Sequence, residues 1–179
     1  MKKITRIIVL CAAILSAAIL VSSCKLDAGQ STESMSFGFN DAEAIWLGYV
    51  NPEKPEEGVN WQLHFYSEGL VEAYFTIVTE ECYEVPAGTF KCAKSLPAPV
   101  NTYLPGSLDK DMKPIYSYAI TGSDGQYTCY SLITDGSFEL KFDKDKNEYT
   151  LNASLFSYSI VVSMSYKGEI KYPNGEEEL

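Results

Sequence analysis

The sequence predicts an all-β domain, an antiparallel two-sheet sandwich with a lipocalin-like β-barrel as the alternative, behind a short N-terminal targeting segment. Three observations predict it. Apolar and polar residues alternate with period two from Phe37 onward. β-Branched and aromatic residues fill the alternating runs. Gly, Pro, Asn and Asp fall between the runs at turn spacing. No stretch after Cys24 carries an apolar stripe at helical spacing.

The N-terminus comes first. Lys2, Lys3 and Arg6 make a cationic start, and residues 7–21 are a largely apolar run of 15 residues. A bilayer-spanning helix needs about 20 apolar residues, so the run suits a cleaved signal better than a span. Val21-Ser22-Ser23-Cys24 closes it. That tetrapeptide resembles a lipobox: a branched apolar residue, two small ones, then cysteine. The resemblance implies cleavage before Cys24, a diacylglycerol on its thiol and a further acyl chain on the freed amine. One acyl chain binds a bilayer marginally, whereas two or three anchor stably. Lys25 stands where an aspartate would argue for retention at the inner membrane, so the outer membrane is the expected address, with the periplasmic and cell-surface faces both open.

The chain therefore divides into a signal at 1–23, the lipidated Cys24 with a small, polar, flexible tether over 24–36, one β domain over 37–172, and an acidic C-terminal tail at 173–179. Within the domain, Trp61, Leu63 and Phe65 alternate with Gln62, His64 and Tyr66, and Val71, Ala73, Phe75 and Ile77 with Glu72, Tyr74 and Thr76. Phe138, Leu140 and Phe142 alternate with Ser137, Glu139 and Lys141; Tyr149, Leu151, Ala153 and Leu155 continue the pattern, as do Ile160, Val162, Met164 and Tyr166. Each run reads as a strand with one dry and one wet face. Asp124-Gly125, Asp135-Gly136, Lys144 to Asn147 and Asn174-Gly175 read as turns, because such pairs tolerate the positive φ of tight hairpins. About nine or ten strands result. Residues 51–58 form a polar loop, and residues 96–114, with four prolines, form a longer connection of the kind that carries binding sites.

The order Val85-Pro86-Ala87-Gly88-Thr89-Phe90, Asp135-Gly136-Ser137-Phe138-Glu139-Leu140, Glu148-Tyr149-Thr150-Leu151 and Ser165-Tyr166-Lys167-Gly168-Glu169-Ile170 resembles the small β-rich envelope lipoproteins of unknown function of the Bacteroidota type. The resemblance covers roughly residues 61–172. It implies an envelope-anchored β domain and supplies no catalytic residue. Phe156 to Ser159 departs from it, standing where an Asp-Gly turn is frequent.

Candidate sites follow from residue chemistry. Cys82 and Cys92 would face each other across a hairpin if Pro86-Ala87-Gly88 were its turn, and an oxidising envelope would permit a disulfide there. The odd number of remaining cysteines, with Cys129, favours buried thiols instead. His64 is the single histidine and falls on the wetter side of its strand, which leaves no histidine-rich metal site. Asp143-Lys144-Asp145-Lys146-Asn147 begins like a calcium loop but lacks its glycine and closing glutamate, and reads as a polar turn. No Gly-x-Ser-x-Gly elbow is present. Glu80, Glu81 and Glu84 are among many carboxylates that could supply an acid pair, but nothing in the sequence indicates the set separation across a cleft that glycoside hydrolysis needs. The reading is non-enzymatic and implies no cofactor.

Thirteen Tyr and two Trp are many for 179 residues; in strands they favour half-buried faces, and an exposed row of them would grip a sugar or a protein. Tyr103, Tyr116 and Tyr118, with the loop 96–114, make the expected binding site. Removing the signal shifts the net charge from −10 to −13, which repels nucleic-acid phosphates and anionic headgroups alike. The expected function is a membrane-anchored accessory or binding module for a glycan or a protein partner. A lipocalin-like carrier of a small apolar ligand and a structural subunit of an envelope assembly are the alternatives.

Overall fold

The computed structural model describes residues 33–67, 70–122 and 129–173. These belong to one compact unit, and the unit is all-β. Its strands are β1 (Ser34–Phe39), β2 (Asp41–Tyr49), β3 (Val59–Ser67), β4 (Val71–Thr79), β5 (Gly88–Cys92), β6 (Thr102–Tyr103), β7 (Ser107–Leu108), β8 (Pro114–Ile115), β9 (Tyr118–Thr121), β10 (Cys129–Leu132), β11 (Asp135–Asp143), β12 (Glu148–Ser157), β13 (Ile160–Gly168) and β14 (Ile170–Lys171). One 3₁₀ turn, Pro55–Glu57, is the sole helical element among the described residues. The first strand begins at Ser34, three residues inside the expected tether.

The strands form one curled sheet in the order β1-β13-β12-β11-β5-β6-β4-β3-β2-β14, with the β9–β10 hairpin added to the first half of β4 and a separate β7–β8 pair. The sheet is mixed: β1 with β13, β14 with β2 and β5 with β6 run parallel. Only Asn40 separates β1 from β2 and only Glu169 separates β13 from β14, so two bent strands connect the two ends of the path. Two layers result. Phe65 on β3 meets Tyr166 on β13 at 5.4 Å between ring centroids, and Phe75 on β4 meets Phe138 on β11 at 4.9 Å. The sandwich layering expected from the alternation is therefore present, but both layers are hydrogen-bonded into a single sheet by strands that cross the corners.

The alternation assigns the core faithfully. Along β3 every second residue from Val59 to Ser67 is buried, and Leu151, Leu155, Val162, Met164 and Tyr166 fill the other layer's inner face. Phe90, Tyr103 and Phe138 stack at the centre, with centroids 5.0 and 5.8 Å from Phe138, and fill the interior. Aromatic pairs of this geometry add about 0.5–1.5 kcal/mol each beyond area burial. Strand β4 departs from simple alternation, because Thr76 and Val78 on its outer side are also buried. The connection after β5 lies over them: Val78, Ala93 and Ala98 form a second small core against Val50, Val100 and Leu104.

Two turn and pairing expectations need correction, and a third segment is placed. First, β5 does not fold back on residues 82–85; it pairs antiparallel with β11 and parallel with β6, which brings Phe90 opposite Phe138. The Cys82–Cys92 hairpin pair therefore does not form, and Cys82, Cys92 and Cys129 are all free thiols. The Cys92 thiol donates to the Thr134 carbonyl at 3.3 Å and is held above its ordinary pKa by burial, while Cys82 lies 3.4 Å from Thr79 Oγ1. Second, Asp135-Gly136 opens strand β11 instead of turning a hairpin, because it pairs with Leu155 and Phe156 of β12. Third, the Phe156 to Ser159 departure is a two-residue turn with Tyr158 at φ 55°. The Lys144 to Asn147 turn joins β11 to β12 as expected, with Asp143 accepting from the Asp145 amide at 3.2 Å and from Lys146 Nζ at 2.9 Å. The signal, Cys24, most of the tether, Asp124-Gly125, Asn174-Gly175 and nearly all the acidic tail lie outside the described residues.

Candidate functional site

The outer side of the β2–β3–β4–β9 layer concentrates the polar aromatics. Cross-strand register makes the alignment: Glu43 faces His64, His64 faces Tyr74, and Tyr74 faces Tyr118. Their rings stack. His64 lies between Tyr66 at 4.7 Å and Tyr74 at 4.2 Å, the latter only 6° from parallel, and Tyr74 stacks on Tyr118 at 4.9 Å. The cross-strand spacings are close to the roughly 4.8 Å between paired strands, so ring planes stand upright across the sheet and their edges face outward.

Two carboxylates fasten the row. Glu72 accepts from the Tyr74 hydroxyl at 2.7 Å and lies 3.2 Å from His64 Nε2; Glu43 accepts from the Tyr66 hydroxyl at 3.0 Å. Burial raises the Tyr74 phenol well above its ordinary pKa, and the bond to Glu72 adds to it. The bond to Glu43 raises Tyr66, and burial raises Tyr118. All three phenols therefore stay protonated through the physiological range and remain donors. Lys171 Nζ, on the neighbouring β14, closes the row's far end by bonding Asp41 at 2.9 Å.

A cleft of about 530 Å³ adjoins this face, lined by residues 93–96, 104–107 and Tyr116. Thr76, two residues beyond Tyr74 on the same side of β4, donates to the Tyr116 carbonyl at 3.4 Å and so links row and cleft. Tyr116 is 42% exposed and Leu96 is 81% exposed.

The three tyrosines expected to act together thus separate. Tyr116 lines the cleft and Tyr118 ends the stacked row. Tyr103 is wholly buried: its strand pairs with both β4 and β5, so its ring turns into the core and its hydroxyl donates to the Gly136 carbonyl at 3.3 Å. It is a core residue, not a binding residue. Tyr66 and the carboxylates Glu43 and Glu72 were not in the expected site. Part of their signal was present, since counting outward from a Ser67–Val71 pair sets Tyr66 opposite Glu72 and His64 opposite Tyr74.

Among the described residues no group of three His, Cys, Asp or Glu side chains is placed to hold a metal ion. Glu80, Glu81 and Glu84 do not join the row; Glu81 accepts from the Tyr49 hydroxyl at 2.5 Å. No family model, curated protein or solved structure matches the chain.

Proposed function

We propose that the chain is an envelope lipoprotein, cut before Cys24 and held in the outer membrane by its acyl chains, whose folded part is a non-catalytic module that binds a glycan. The observation that carries the binding reading is the stacked Tyr66–His64–Tyr74–Tyr118 row with its two carboxylates, continuous with the Tyr116 cleft. Stacked rings offer one another their faces and offer a ligand their edges. A ligand crossing the row meets phenol hydroxyls, an imidazole and carboxylate oxygens, the donors and acceptors that a polyhydroxylated chain requires. In the cleft, the partly exposed Tyr116 ring supplies the apolar surface on which one sugar ring can stack.

An interior carrier of apolar ligands is less well supported, because packed rings occupy the space between the layers. A protein partner at the same face is the competing outcome.

Two results are expected. Cys24→Ser abolishes incorporation of radioactive palmitate and releases the protein into the soluble fraction; label retained by this variant removes the anchor. On a glycan array, Tyr116→Ala and Tyr74→Ala each weaken binding about tenfold, or about 1.4 kcal/mol. Wild-type affinity in both variants, with folding verified by near-ultraviolet circular dichroism, removes the site.

A further inference from the structure

We propose that the outer face of β1, β13, β12 and the start of β11 is a membrane-resting surface that lies against bilayer headgroups. The inference rests on the lipid-anchor reading and adds to it which side of the domain meets the bilayer.

The first observation is charge. Residues 149–166 contain no charged side chain, although at the chain's 21% such a stretch would carry about four; residues 34–40 contain none either. These are the strands that register joins. Ser36 faces Ser163, Ser163 faces Ser154, and Ser154 faces Ser137, a row of four hydroxyl-bearing residues across four adjacent strands. The first three are exposed. At the margins six charges are neutralised in pairs, Lys167 with Glu148 at 3.2 Å, Lys141 with Glu139 at 3.1 Å and Lys94 with Asp135 at 2.7 Å, while the exposed Lys91 opposite Ser137 belongs to none of these pairs and adds a cation, not an anion, at this border. A strongly acidic chain is repelled by an anionic leaflet at about 1 kcal/mol per charge near its surface, so its uncharged face is the one that can approach closely. Small hydroxyls suit that approach, since they hydrogen-bond phosphate and glycerol oxygens.

The second observation is where the chain enters. The Val161 amide donates to the Glu33 carbonyl at 2.9 Å, and Ser34 faces Val161, so the segment from Cys24 joins the domain at the edge of this face. Eight residues lie between Cys24 and Glu33, a covalent reach of at most about 30 Å. The third observation is the tip. Phe156 and Tyr158 are exposed beside Val161, and Tyr158 occupies a positive-φ turn position where glycine or asparagine would be unstrained. Aromatic rings of this kind settle at the headgroup level of a bilayer. The stacked row belongs to the layer across the core, shown by the Phe65–Tyr166 and Phe75–Phe138 contacts, and would point away from the membrane.

The test uses the full lipidated chain with Cys82→Ser and Cys129→Ser, carrying a nitroxide at Ser163→Cys or, on the opposite layer, at Tyr130→Cys. Each protein is reconstituted in vesicles of phosphatidylethanolamine and phosphatidylglycerol, and collision with a water-soluble nickel chelate is measured. The expected result is several-fold protection of the label at position 163 and none at 130. Equal access of the chelate to both labels on protein that floats with the vesicles overturns the orientation and leaves the anchor standing. Failure to float overturns the anchor and the orientation with it. Dipolar broadening between labels at 163 on two molecules shows a second copy on this face and overturns the proposal.

Discussion

Tyr103→Ala is expected to lower the stability of the folded unit by about 3–5 kcal/mol, the usual cost of emptying a large aromatic site in a core. The ring is fully buried, 6.0 Å from Phe75 and 5.8 Å from Phe138 between centroids. Domains of this size are stable by about 5–15 kcal/mol, so the loss is a large fraction of the total. In urea it corresponds to a midpoint shift of about 2 M at an m value near 2 kcal/mol/M. Tyr103→Phe keeps the ring and removes the hydroxyl, with its bond to the Gly136 carbonyl and its interaction with the Cys92 thiol, for an expected loss of about 1 kcal/mol. Tyr116→Ala, at a partly exposed position, should change stability by less than about 0.5 kcal/mol. Urea unfolding of the three variants without lipid checks the series. An unchanged midpoint in Tyr103→Ala would move that ring out of the core and return it to the binding site.

Gly136→Ala is expected to cost about 3 kcal/mol for a different reason. The residue sits at φ 101°, and a Cβ there would lie 2.5 Å from the Ser154 carbonyl oxygen and 2.7 Å from Leu155 Cα. Both are backbone atoms of β12 and cannot swing aside as a side chain can. The strain of the left-handed conformation alone accounts for about 1–3 kcal/mol, and separating β11 from β12 adds to it. Gly88→Ala is the matched comparison: it lies in β5 on the other side of β11, and a Cβ there meets nothing within 4 Å. That substitution should be neutral or stabilising by up to about 1 kcal/mol, since alanine restricts the unfolded chain more than glycine does. Thermal unfolding of both variants decides the matter, and a similar midpoint in the two would show that β12 is not packed against residue 136.

Gly136 also shows why local reading failed in places. An Asp-Gly pair between apolar runs is the ordinary mark of a tight turn, and the positive φ it predicts is present. What the pair does with that φ depends on β12, which comes into register only through hydrogen bonds further along the chain. The same holds for Pro86-Ala87-Gly88. As a local motif it suggests a hairpin bringing Cys82 to Cys92, yet β5 gains more by placing Phe90 against Phe138 and bonding to β11. Tyr103 was misplaced because a two-residue strand offers no alternation to read, and its side was set by wedging between β4 and β5. The stacked row was half legible: His64 and Tyr74 were on the polar parity of their strands, but Tyr118 joined them only through a pairing across more than forty residues.

The sequence alone determined the all-β class, the inward residues of the long strands and the charge-free stretch from 149 to 166, because each is a property of neighbouring residues: period, composition and side-chain polarity. Tertiary structure alone decided that the layers belong to one curled sheet, that Ser36, Ser137, Ser154 and Ser163 fall in line, and that Tyr103 leaves the surface. Those outcomes depend on which distant strands share hydrogen bonds and in what register. A one-residue shift of partner would exchange every inner side chain for an outer one, and the residues that forbid it are distant in the chain.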